Sequence, residues 1–285
     1  MDAPPGQEDC TRFIRIAGIL EAMQLNAPRI IEADLGDGFL LLTDLGSTQY
    51  LENLLADSSS ASSLYGDAMN ALLRIQRRGT AYQSSLPAYD DKLLRFELSL
   101  FHDWLCEKHL GIEFSPDDES NWEALCDLLV SNALDQPQVF VHRDFHSRNL
   151  MVTAENNPGI LDFQDAVEGP LTYDLASLLK DCYVKWPHDQ VEKWACDFHS
   201  RLDASMRHQV DATQFLRYFQ LMGAHRHLKA AGIFARLNLR DGKPGYMTNI
   251  PRTLSYIVEL GPRFGELEFL AQLVSERCLP RLGRA

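Results

Sequence analysis

The chain has 285 residues, with 40 acidic against 27 basic side chains and a formal net charge of −13. It is 45% hydrophobic and 24% charged, the balance of a globular protein with a sizeable core, which excludes a disordered or collagen-like chain. So acidic a chain lacks the basic face that displaces counterions from a nucleic-acid backbone, and no nucleic-acid partner is expected. Phosphate chemistry stays open, because a divalent cation can bring an anionic substrate to acidic groups.

In chain order, a turn at Pro4-Pro5-Gly6 precedes an amphipathic run from Gln7 to Leu25, with Phe13, Ile16, Ala17, Leu20 and Met23 at helical spacing. Arg29–Ala33 and Phe39–Thr43 read as two short strands joined by Gly36-Asp37-Gly38, a hairpin. The pattern breaks at Asp44–Gln49, which marks a boundary between a small mixed lobe and a large helical one. A serine-rich patch at 58–63 reads as a loop between two helices. Leu64–Arg78, Asp90–His109 and Pro116–Leu134 carry apolar residues at helical steps. Ser115 before Pro116, with Asp118 three residues on, is a helix start signal. Val139–Val141, Leu150–Val152 and Gly159–Leu161 are short strands, and after Pro170 the chain is helical to near its end.

No apolar run approaches the roughly 20 residues that span a membrane. The first residues lack the basic and apolar regions of a signal peptide. The six cysteines (10, 106, 126, 182, 196 and 278) show no zinc or redox spacing and read as reduced core thiols. The expectation is a cytoplasmic protein without a membrane partner.

The stretch that carries chemistry is His142-Arg143-Asp144-Phe145-His146-Ser147-Arg148-Asn149, followed by Asp162-Phe163-Gln164-Asp165. A strand delivers Asp144 into a polar loop, Asn149 stands before a second strand, and Asp162 ends a third. An amide oxygen and a carboxylate at strand ends suit Mg²⁺, which takes one or two carboxylates plus substrate phosphates. A second carboxylate is then free to orient a hydroxyl, the toolkit of phosphoryl transfer. His142 and His146 stand four apart, but not on a helix, which disfavours a zinc reading. On Gln214–Leu239, Arg226, Lys229, Arg236 and Arg240 share one face and Leu221, Leu228 and Ala235 another. That basic face is either solvated or the wall of an anion-binding pocket.

His-Arg-Asp, four residues, Asn, then Asp-Phe-Gln closely resembles the catalytic and metal loops of the protein-kinase-like superfamily. The histidine between Asp144 and Asn149 is nearer to its aminoglycoside phosphotransferase and choline kinase branch. Within that branch, Met1–Pro5, Val141–Asp144, Leu161–Ala166, Gly169–Asp174, Arg226–Lys229 and Gly232–Arg236 resemble the bacterial kinases that phosphorylate the anomeric hydroxyl of N-acetylmuramate and N-acetylglucosamine in cell-wall sugar recycling. The resemblance implies an α+β, two-lobed kinase-like fold, with residues 1–46 as the smaller lobe and 47–285 as the helical one. It implies ATP and Mg²⁺, with Asp144 as the base or orienting group and Asn149 and Asp162 as metal ligands. Thr43, Asp44 and Leu45 would meet the adenine. Arg226, Lys229 and Arg236 would bind the lactyl carboxylate, and His142 and Asp174 would support the loop. An aminoglycoside- or choline-type kinase and an inactive kinase-like scaffold remain alternatives. Gln164 replaces the glycine of Asp-Phe-Gly, which is compatible with metal binding by Asp162 and argues against a protein-kinase-type switch.

A kinase-like smaller lobe should open with strands that cover the phosphates and carry a basic residue. Met1 stands where the third of them would end, so the chain is expected to lack its first strands, through truncation or a misassigned start, and to bind ATP weakly.

Overall fold

Cys10–Ala22 forms α1, which buries Phe13, Ile16, Ala17 and Leu20 on one side. The structure, a computed structural model, describes residues 1–2 and 10–283. The Pro4-Pro5-Gly6 turn and residues 7–9 of the expected first helix lie outside the described residues. β1 (Ile30–Asp34) and β2 (Phe39–Leu42) form the expected antiparallel hairpin. Met1 lies along β2, its amino group donating to Leu40 O at 2.8 Å. Ile31, Leu35, Phe39 and Leu41 of the hairpin are exposed.

α2 (Tyr50–Ala56) leads into the serine patch, which is helical rather than a loop. The Asp57 carboxylate accepts from Ser59 N and opens a 3₁₀ turn, Ser58–Ser60, that runs into α3 (Ala61–Gly79). Asp90 caps α4 (Asp91–Leu100), and the same helix continues as a π-helical stretch, Phe101–His109. α5 (Pro116–Leu134) carries the expected start: Ser115 Oγ accepts from Asp118 N and the Asp118 carboxylate accepts from Ser115 N.

The strands make three two-stranded antiparallel sheets among the described residues. β3 (Gln138–Val141) pairs with β6 (Val167–Pro170), and β4 (Leu150–Met151) with β5 (Gly159–Ile160). β6 is absent from the sequence expectation, because Val-Glu-Gly-Pro carries turn chemistry and becomes a strand through its pairing with β3. The helices α6 (Tyr173–Leu179), α7 (His188–Ser200), α8 (Ala204–Gln209), α9 (Ala212–Asp241), α10 (Ile250–Leu260), α11 (Glu268–Gln272) and α12 (Leu279–Leu282) complete an α+β architecture.

α9 is the axis of the helical part. Asp211 caps its start and Gly242, at φ 63°, ends it in the left-handed conformation. It packs against α4, α5, α6, α7 and α10. Every residue from Tyr218 to Lys229 is buried, so the middle of the two-faced helix read from the sequence is enclosed all round, while its two ends reach the surface. Gly232 permits the closest approach: a Cβ there would stand 2.3 Å from the Leu100 carbonyl carbon. The shift from α to π geometry falls at this crossing. Trp122 and Trp194 are buried in the core. Five cysteines are buried and all six are free thiols, with Cys196 exposed.

Candidate active site

β3 ends at Val141 and hands the chain to the loop His142–Asn149, which two buried aspartates hold from below. Asp174, in the first turn of α6, accepts from His142 N at 2.6 Å and Arg143 N at 3.0 Å. Asp181, just past α6, accepts from Ser147 N at 3.0 Å and Tyr183 N at 2.8 Å. Arg143 sits at φ 77°, a left-handed conformation that costs a branched-free but bulky side chain free energy unless its surroundings enforce it. Burial pushes Asp174 up to about 7, against the two amide bonds that favour its ionised form.

The loop brings Asp144, Asn149 and Asp162 together. Asn149 Nδ2 donates to the Asp144 main-chain carbonyl and to Asp162 Oδ2, each at 3.0 Å. β4 follows Asn149 directly and β5 precedes Asp162 by one residue, so one hairpin carries both. Asp162 adopts φ 62°, which a short polar side chain tolerates best, and Gln164 Nε2 donates to its Oδ1 at 2.9 Å. Asp162 is solvent-exposed and lines a cavity of about 520 Å³ with Arg12, Phe13, Gln164 and Asp165. The Asp162 carboxylate and the Asn149 side chain are in contact, and a carboxylate with an amide oxygen is a pair of hard oxygen ligands that fits Mg²⁺.

Asp144 is partly buried. Burial would raise its carboxyl, but the charges of Lys229 and Arg226, with His146 and His142, outweigh it and bring it down to about 2. Arg226 and Lys229 are only 6% and 8% exposed, so they are not a solvated face. Lys229 Nζ lies 3.1 Å from Glu97 and donates to Tyr173 OH at 2.9 Å. Arg226 lies over the Tyr173 ring at 5.3 Å, and among the described residues its buried Nε has no partner. Arg236 is ten residues further along α9, about 15 Å at 1.5 Å per residue. Among the described residues its Nε is also buried without a partner, while Arg240 is exposed and paired with Asp241. The four basic residues therefore do not form one wall; the first two stand at Asp144 and the others apart.

The hinge segment lies against β4 and β5. Thr43 N donates to Arg29 O at 3.0 Å, and Asp44 Oδ1 accepts from Gly46 N at 2.9 Å. Among the described residues the Asp44 and Leu45 peptide groups have no backbone partner. Sequence reasoning missed Glu97 and Asp181, single acidic residues without a local pattern. It also missed Arg148, which lies over the rings of Tyr183 at 4.8 Å and Tyr246 at 5.4 Å beside the loop.

The buried histidines make the fold acid-sensitive. Burial holds His142 and His225 down to about 4, against roughly 6.5 in an unfolded chain. The unfolded chain takes up these protons first, so their contribution is whole above about 6.5 and declines as pH falls towards 4. Asp174 has the opposite sign, since its raised value favours the folded state as pH drops below about 7. With His227 also far below its ordinary value, the histidines outnumber it. The urea midpoint is expected to be lower at pH 5 than at pH 7; equal midpoints would mean that these rings titrate freely in the fold.

A two-lobed kinase-like fold is what solved structures share with this chain. A choline/ethanolamine kinase family protein from Mesorhizobium loti superposes with a TM-score of 0.59 at 15% identity, over 92% of this chain and 83% of that one. A spectinomycin phosphotransferase in an AMP-bound complex gives 0.58 at 13% identity, over 94% and 85%. Residues 1–217 match the phosphotransferase enzyme family, and the chain belongs to that family. A relative in Pseudomonas aeruginosa named N-acetylmuramate/N-acetylglucosamine kinase is 45% identical over 96% of this chain and 80% of its own length. One of the same name in Neisseria meningitidis is 37% identical over 97% and 82%.

Proposed function

We propose that this phosphotransferase moves the γ-phosphoryl group of ATP to the anomeric hydroxyl of an N-acetylated amino sugar, N-acetylmuramate or N-acetylglucosamine. The observation that carries the chemistry is the contact of Asn149 with both Asp144 and Asp162 on one braced loop and hairpin. The names of the relatives at 45% and 37% identity support the choice of sugar. Residues 1–46 serve as the smaller lobe, and the peptide groups of Asp44 and Leu45, with Thr43, meet the adenine. ATP as donor and buried thiols fit action in the cytoplasm. Among the described residues no helix is long and apolar enough to cross a membrane.

Asn149 and Asp162 would hold Mg²⁺, which when bound neutralises charge on the ATP phosphates. Asp144 accepts a hydrogen bond from the sugar hydroxyl and points its oxygen in line with the phosphorus. A carboxyl held near 2 is a weak proton acceptor, so it orients the hydroxyl first and takes the proton late, as a loose transition state allows. Arg226 and Lys229 add positive charge beside the reacting oxygens, where water is scarce and fixed charges act strongly.

The chain incubated with Mg·ATP and a panel of sugars, aminoglycosides and choline should yield a sugar 1-phosphate, read by phosphorus NMR. Phosphorylation of choline or an aminoglycoside alone would replace the substrate assignment, and no transfer at all would leave a binding scaffold. Arg236 is the least buried of the three candidate carboxylate receptors, whereas Arg226 lies on the Tyr173 ring and Lys229 is engaged with Tyr173 and Glu97. Arg236→Ala is expected to raise KM for N-acetylmuramate about tenfold or more over that for N-acetylglucosamine, which lacks the lactyl group. One charge-assisted hydrogen bond is worth roughly 1.5–3 kcal/mol. An unchanged ratio of the two KM values would exclude Arg236 from carboxylate recognition.

A further inference from the structure

We propose that Glu97 is a positioning residue for phosphoryl transfer, anchoring both Arg143, the neighbour of Asp144 in the loop, and Lys229, the buried cation beside Asp144. The proposal rests on Asp144 as the reacting carboxylate.

Glu97 lies on α4 and is 2% exposed. A carboxylate so placed persists only with partners that satisfy it. Its Oε2 accepts from Tyr89 OH and its Oε1 from the Arg143 guanidinium, with Lys229 Nζ 3.1 Å away. Two cations thus share one anion. Removing one partner from such a cluster leaves uncompensated buried charge, whereas an apolar filling would serve packing alone as well.

The arrangement controls the loop from two sides. Arg143 is in the left-handed region, and Asp174 holds its amide while Glu97 holds its guanidinium. One residue is therefore fixed at backbone and tip, immediately before Asp144. Arg143 also lies 5.7 Å over the Tyr89 ring, and Tyr89 N donates to Glu168 O in β6 at 2.8 Å, which ties the cluster to the sheet behind the loop.

Lys229 is the second arm. The groups around it are Glu97 from α4, Tyr89 from the preceding loop, Arg143 and Asp144 from the catalytic loop, Tyr173 from α6, and His225 and Arg226 from α9 itself. Burial works to lower Lys229, and Glu97, with Tyr173 and Asp144, holds it well above its ordinary value. Without the Glu97 charge, burial and the Arg143 charge act on Lys229 with less opposition, and it loses its proton at a lower pH.

The test uses the full chain, Mg·ATP and N-acetylglucosamine. Glu97→Gln keeps the shape and the oxygen facing Tyr89 but removes the charge. It is expected to lower kcat about 10²-fold, as small misplacements of reacting groups do. Mg·ADP affinity by calorimetry should stay at the wild-type value. The pH–rate profile should gain an alkaline limb that the wild type lacks. Glu97→Gln/Lys229→Met removes the uncompensated ammonium; it should fold even where the single variant does not, with low turnover and without that limb. Wild-type turnover and profile in Glu97→Gln would overturn the proposal. So would a loss of turnover matched by equal losses of melting temperature and nucleotide affinity, which would make Glu97 a structural residue. An Asp144→Asn control with full activity would instead sink the underlying assignment of Asp144.

Discussion

Asp144→Asn is expected to lower turnover by at least about 10²-fold, the range set by a positioned acid–base group, while Mg·ATP binds almost as in the wild type. The split follows from where the hydrogen bonds go. Asn149 donates to the main-chain carbonyl of Asp144, not to its carboxylate, so the amide keeps its place when the side chain changes. Asp162→Asn should also cost at least about 10²-fold but weaken nucleotide binding with it. Its carboxylate is the exposed charged donor of the pair and takes bonds from both Asn149 and Gln164. Equal losses of nucleotide affinity in the two variants would undo this division of roles.

Gly232→Ala is expected to be among the most destabilising single substitutions in the chain. The added carbon would lie 2.3 Å from Leu100 C, 2.4 Å from Leu100 O and 2.5 Å from Phe101 N. These are backbone atoms at the start of a π-helical stretch and cannot swing aside as the end of a side chain can. α4 and α9 must separate, at the upper end of the usual overpacking cost, about 3 kcal/mol. For a chain of this size that lowers the melting temperature by roughly 5 °C. An unchanged urea midpoint would show that the crossing is soft enough to absorb a methyl group.

Local chemistry made part of this molecule readable. Ser115, Pro116 and Asp118 define the start of α5 because a cap, a donor-free residue and a reciprocal carboxylate act within four positions. The loop from His142 to Asn149 and the turn at Asp162 were legible through their spacing. What stayed hidden depends on residues far along the chain. β6 is a strand through β3, and its own sequence, half of it Gly and Pro, argues otherwise. The charges at 226 and 229 read from their helical period either as a solvent stripe or as a pocket wall, and the period alone does not choose between them. Lys229 is tenable inside because Glu97, on another helix, supplies an opposite charge, with Asp144 and Tyr173 beside it. Asp181 reads as one more acid until the fold sets it under Ser147 N, 34 positions away.

Enclosure of the middle of α9 on every side bears on the order in which the protein can be made. A ribosome releases β3, the loop and the β4–β5 hairpin long before α9 emerges. Until then, the loop has no Lys229 beside it, Glu97 has lost one of its cations, and α4 shows the groove that Gly232 later fills. α9 in turn finds α10 only after it has itself been released. Such a chain offers no early stopping point at which the catalytic half is finished, and its nascent form must hold open apolar surface until the last quarter arrives.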